Sequence, residues 1–306
     1  MNRFYRIFSG FTAVIFLVLL LLPGCGSGSE KKPAKEQQQL SQQDMARIQQ
    51  DIKQAEKIFN ALPTPLESAM LIKSAGAPFD RKYLNPIENA KLYTTTRSMA
   101  LNLGIYTCDL SFASLYDQTQ LIIDYMNAAK KMADGLGILD AINQETISTL
   151  EQNINNKEAI METISETFLN SNSYLADNDQ TAVAAIMLVG GWIEGLYIST
   201  QLVDLKEFNG NKLVATIIDQ KLSIDILINL LESNKGNPAV DEMIGQMAKL
   251  KEVFDKINIK TTPIKTEIDQ STNVTILRSQ VTTDMSVETF KQLADVVKEI
   301  RDSFVK

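Results

Sequence analysis

The sequence predicts an all-α protein, an antiparallel multi-helix bundle or helix-pair array around two apolar central helices. Three observations carry this. Glycine and proline are sparse, 14 and 8 among 306 residues, so few positions force the chain to turn. Apolar residues recur at the 3.6-residue spacing of a helix face over most of the chain. Thr64-Pro65, Asn85-Pro86 and Asn237-Pro238 each put a capping side chain before a proline whose fixed φ suits a first helical turn. Glu67 and Glu88 follow the first two caps by three residues, which is capping-box spacing.

In chain order, residues 1–24 come first and read as a lipoprotein signal peptide. Arg3 and Arg6 form a basic start, and Phe11 to Leu22 is an almost unbroken apolar run, too short and wrongly flanked for a permanent span. The run ends in Leu22-Pro23-Gly24-Cys25, which resembles the lipobox of bacterial lipoproteins, where the cysteine thiol takes a diacylglycerol and becomes the new N-terminus. Cys25 is the expected lipidation site. Buried methylenes at ~0.8 kcal/mol each let several acyl chains, palmitate included, hold a domain firmly on a membrane. Gly26, not aspartate, follows the cysteine, and by the enterobacterial sorting pattern this favours the outer membrane. Residues 25–40 carry "GSGSEKKPAKEQQQ", small, polar and charged, and read as a flexible tether.

Residues 41–306 read as one helical domain. Helices are expected over 41–61, 65–75, 87–115, 118–135, 139–154, 157–175, 179–206, 212–233, 238–258 and 286–304. Short polar turns such as "EFNGN" and "ESNKGNP" link them, so neighbours in sequence should pack antiparallel. Residues 261–286 depart from this. They are rich in Thr, Val and Ile and predict an irregular excursion or a hairpin turning at "QSTN".

Composition excludes several functions. Removing residues 1–24 takes away two arginines and no acid, leaving 28 basic against 37 acidic residues and a charge of −9. An acidic chain without a basic block is not expected to bind nucleic acid or an anionic membrane face. Histidine is absent, which removes the commonest general base, the usual zinc ligand and any Ser-His-Asp arrangement. No phosphate-binding glycine loop, calcium loop or nucleophile elbow appears. No catalytic residue, metal site or cofactor is singled out, although metal sites built only from carboxylates stay open. Cys108 stands alone on an apolar helix and reads as a small core residue.

Two segments are apolar nearly all round. "ALNLGIYTCDLSFASLY", 100–116, carries Asp109 as its only charge, and "TAVAAIMLVGGWIEGLYISTQL", 181–202, carries only Glu194. Such helices belong in the middle of an assembly of helices. Gly191 and Gly195, four apart, should let another helix approach closely. A buried carboxylate must be paired, hydrogen-bonded or neutralised. Tyr106, Tyr125, Arg97 and Lys130 are the candidate partners. Alternatively Asp109 and Glu194 line a pocket walled by Trp192, Tyr106 and Tyr197 that takes a polar or cationic group.

At "ALNLGIYTCDLSFASLYDQTQLIIDYMNAAKKMADGLGI" and "LVGGWIEGLY" the chain resembles a group of uncharacterised lipoproteins from Bacteroidota, over most of its length after the signal. The resemblance implies a cell-envelope location and an all-helical domain, and carries no activity with it. The function expected is a lipid-anchored binding or scaffolding module, facing the periplasm or the cell surface. Its partners would be the membrane, through the lipid, and an envelope protein or a small ligand. Two alternatives are a carboxylate-based hydrolase of envelope glycans using acids such as Asp109 and Glu194, and a solute-binding component. The first needs two carboxylates roughly 5–10 Å apart in a cleft, and the second a cavity of several hundred Å³.

Overall fold

The helix starts are set by side chains that satisfy the orphan N–H groups of the first turn. A computed structural model describes residues 62–139, 156–261, 265–269, 274–278 and 281–306. The expected signal peptide, Cys25, the expected tether, the helix expected at 41–61 and nearly all of that at 139–154 lie outside these residues. Helix α1 (Pro65–Ser74) opens on the expected capping box: Thr64 Oγ1 accepts from Glu67 N at 3.2 Å while Thr64 N donates to Glu67 Oε2 at 2.7 Å. Asn156, Asn211, Asn237 and Ser286 cap α4 (Lys157–Asp177), α6 (Lys212–Glu232), α7 (Pro238–Phe254) and α8 (Val287–Phe304). The two remaining helices are α3 (Thr119–Gly135) and α5 (Thr181–Gln201).

The long helix expected over 87–115 is not continuous. Two short 3₁₀ turns, Arg81–Tyr83 and Ile87–Lys91, come first, and α2 begins only at Thr96 and runs to Leu115. The true cap is Thr95, whose side chain and backbone exchange hydrogen bonds with Ser98. Asn85 makes no cap because its side chain is buried and bonded elsewhere, and Pro86 has no capping side chain either. The helices expected over 179–206 and 238–258 also stop early. The first gives way to a turn whose own cap is Asp204, and the second to a strand starting at Asn258.

The β-prone excursion is a set of antiparallel strand pairs. Strand β1 (Asn258–Thr261) pairs with β4 (Val281–Asp284), and β2 (Lys265–Asp269) with β3 (Val274–Arg278). Thr261 faces Val281 and Lys265 faces Arg278, so three residues intervene on one side and two on the other. The turn expected at "QSTN", residues 270–273, lies outside the described residues.

The fold is all-α, and its centre is the crossing of α2 and α5. Every residue from Ala100 to Leu115 and from Ala184 to Thr200 is buried. Glycine permits the approach. A Cβ on Gly104 would overlap the Met187 carbonyl oxygen, and one on Gly190 the Leu101 carbonyl oxygen. On α5, Gly191 and Gly195 do for α1 what the sequence suggests. Cβ atoms there would lie 2.9 Å from Pro65 Cγ and 2.8 Å from Ser68 Cβ. Helix α5 is long and apolar enough to cross a membrane by composition, but 83% of that window is buried inside the protein. Its apolar surface is spent on neighbouring helices.

Candidate functional site

The two central acids meet beside the helix crossing, together with an arginine from the far end of the chain. Asp109 and Glu194 have no exposed surface and Arg301 is 6% exposed. Arg301 sits in the last turn of α8 and holds Glu194 with both arms of its fork, Nε to Oε2 at 2.9 Å and Nη2 to Oε1 at 3.0 Å. Tyr197, one turn on from Glu194 along α5, lies under the guanidinium with its ring centre 4.7 Å from Cζ. Burial works against the charge on Arg301, but pairing with Glu194 outweighs it, and the proton is held more tightly than usual. This is the bidentate geometry in which an arginine pairs best with a carboxylate.

Asp109 is held differently. Its Oδ2 accepts from the Asn85 backbone N–H at 3.1 Å, and its Oδ1 is buried without a hydrogen-bond partner of good geometry. Burial first, then the neighbouring Glu194, push its carboxyl well above the usual carboxylate range. Arg301 and the Asn85 N–H oppose this less strongly. Two carboxyl groups and one guanidinium balance electrically when one proton is added. The segment carrying the 3₁₀ turns closes over the cluster through neutral polar groups. Asn85 Nδ2 donates to Asn102 Oδ1 at 3.0 Å, Tyr125 Oη to Asn85 O at 3.1 Å, and Tyr106 Oη to Pro86 O at 3.1 Å. Burial raises the Tyr106 and Tyr125 phenols, and both serve here as neutral donors.

Asp109, Glu194, Tyr106 and Tyr197 lie around one buried ion cluster and line neither described cavity, while Trp192 is not part of the cluster. Trp192 lies two residues from Glu194 on the helix and donates Nε1 to Gln220 Oε1 of α6 at 2.9 Å. Of the candidate partners, Tyr125 and Tyr106 contribute to the surrounding network. Arg97 is instead paired with Glu242 at 3.2 Å, and Lys130 lines a separate cavity. The decisive partner, Arg301, was missed, although a signal for it exists. It falls four residues after Val297 and three before Phe304, on the buried stripe of α8.

Two cavities are described, and neither is lined by Asp109 or Glu194. One, of about 50 Å³, lies between α2, α3, α4 and α5 and is walled mainly by Leu103, Met126, Phe168 and Met187. It is far smaller than the ~300–1,000 Å³ of a ligand pocket. The other is an open groove of about 570 Å³ between α1 and α6, lined by Leu62, Met70, Leu71 and Gln220 among others. Among the described residues, no group of three or more acids or cysteines is placed to hold a metal. The Asp109–Glu194–Arg301 cluster is buried, and among the described residues neither cavity reaches its acids. Comparison of the chain with protein-family models, curated proteins and solved structures finds no match.

Proposed function

We propose that the protein is a lipid-anchored cell-envelope module that acts by binding or scaffolding. The observation that carries this is Leu22-Pro23-Gly24-Cys25 behind a basic start and an apolar run, followed by a polar tether. The buried position of Cys108 supports the assignment, because it leaves Cys25 as the cysteine suited to modification. The way the acids are used also supports a non-catalytic role. A glycan hydrolase needs its carboxylates to face substrate, and here Glu194 is filled by Arg301 and Asp109 is enclosed. The domain would sit at the outer membrane, facing the periplasm or the surface, with an envelope protein or a small molecule as its partner. Its exposed apolar side chains Met70 and Leu71, beside the open groove, are the surface best suited to contact. Replacing Cys25 by alanine and fractionating cells tests the anchor. The variant should leave the membrane fraction and lose incorporation of labelled palmitate. If it stays fully membrane-bound in the same fraction, the proposal is wrong.

A further inference from the structure

We propose that Asp109, Glu194 and Arg301 together hold one dissociable proton, and that losing it loosens the seat of the C-terminal helix α8, which makes that seat a pH-sensitive switch. The groups that face Asp109 among the described residues are few. Tyr106 and Cys108 lie on its own helix, Tyr125 comes from α3, Glu194 from α5 and Arg301 from α8; around them Tyr93 neighbours Tyr106, Tyr197 lies under Arg301, and Arg81 of the first 3₁₀ turn acts on Tyr125. The tyrosines and the buried thiol are neutral, so the charge balance rests on two carboxyls and one guanidinium. Both Glu194 oxygens are already taken by Arg301. Asp109 Oδ1 is buried without a hydrogen bond of good geometry and has the Glu194 carboxylate as its neighbour, so it is the oxygen to which the proton is assigned.

Loss of the proton leaves an excess negative charge in a dry core. Burial and Glu194 both work against a charge on Asp109, while Arg301 is engaged by both Glu194 oxygens. Water must then enter or something must move. Helices α2 and α5 cannot part easily, because their backbones touch at Gly104 and Gly190. The end of α8 is held by polar bonds instead. Asn102 Nδ2 donates to Phe304 O at 2.9 Å, Tyr93 Oη to Val305 O at 3.2 Å, and Asn89 Nδ2 to Val305 O at 3.4 Å. Bonds of this kind exchange readily with water, so the last turn of α8 and the 84–93 segment are the elements that yield.

The sign follows from linkage. Asp109 binds its proton more tightly folded than unfolded. The stability this confers is complete below the ordinary aspartate range, near pH ~4, and falls as pH rises toward the folded value, by about tenfold in the folding equilibrium per pH unit. The test is thermal unfolding of the full chain from mildly acidic to mildly alkaline pH, with amide exchange corrected for intrinsic rates. Wild type should lose melting temperature as pH rises, with faster exchange at 300–305 and 84–93. Asp109→Asn, which cannot ionise, should remove both trends. Infrared spectra of wild type supply a readout that needs no variant. At neutral pH a protonated-carboxyl band should be present, and Glu194→Gln, which removes the like charge, should abolish it. Absence of the band in wild type, or a pH dependence of Asp109→Asn equal to that of wild type, overturns the proposal.

Discussion

Replacing Arg301 with methionine strips the guanidinium from a buried pair of acids while keeping most of the side-chain volume. Removing one partner of a buried ion pair costs about 3–5 kcal/mol, because the other charge is stranded in a medium that cannot solvate it. Arg301 falls in this class. It is 6% exposed, makes two charge-assisted bonds of 2.9 and 3.0 Å, and covers a tyrosine face. For a protein of this size each kcal/mol moves the melting temperature by about 2–4 °C, so the expected loss is roughly 6–20 °C. The opposite substitution is not equivalent. Glu194→Gln leaves Arg301 beside Asp109, which can release its proton and take over as counter-ion. That variant should cost about 1–3 kcal/mol, the range for a lost hydrogen bond to a buried group. Lys235→Ala, which breaks an exposed pair with Glu232, sets the baseline at about 0–1 kcal/mol. The assay is urea unfolding followed by circular dichroism, with all variants at one pH. A Glu194→Gln cost equal to or above that of Arg301→Met would refute the idea that Asp109 is a reserve acid. An Arg301→Met cost no larger than that of Lys235→Ala would refute the burial argument itself.

Further outcomes are expected elsewhere in the fold. Gly190→Ala places a methyl group against the Leu101 carbonyl and should destabilise by about 1–3 kcal/mol through overpacking, read as a lower denaturation midpoint. Gly245→Ala, on an exposed face of α7 with open space around the new methyl, should instead stabilise by about 0.5–1 kcal/mol. Thr64→Ala removes the cap of α1 and should cost about 1 kcal/mol in the same assay. Cys108 is fully enclosed and its thiol is pushed up by burial and by the nearby acids. A thiol reagent should therefore label it at the rate of global unfolding, and rapid labelling of the native protein would contradict the core assignment.

How much of this was legible in the sequence depended on the range over which each signal acts. Local signals read well. Thr64 and Asn237 each cap a helix because a side chain bonds an N–H two or three residues away, and such spacing is visible in the chain. The two apolar helices were legible because an all-round apolar pattern has no other stable place in a helical assembly. Asn85 shows where locality fails. Its spacing from Pro86 and Glu88 is that of a cap, yet its amide is claimed by Tyr93 and Asn102, and its N–H by Asp109. A tertiary network outbid the local motif, and α2 starts at Thr96 instead.

Arg301 marks the same boundary from the other side. The cations expected for the two acids, Arg97 and Lys130, lie on the helices around Asp109, whereas Glu194 is paired across 107 positions. The usable clue lay on α8. Its buried stripe runs Phe290, Leu293, Val297, Arg301 and Phe304, so a cation occupies a position that the helix period assigns to the core. A buried cation and a buried anion pose complementary problems, and each is solved most simply by the other. Reading the interruptions of apolar stripes across the whole chain, rather than the charges near each acid, would have matched Glu194 with Arg301. The same reading leaves Asp109 as the surplus acid, so a stripe census yields both the ion pair and the need for a proton.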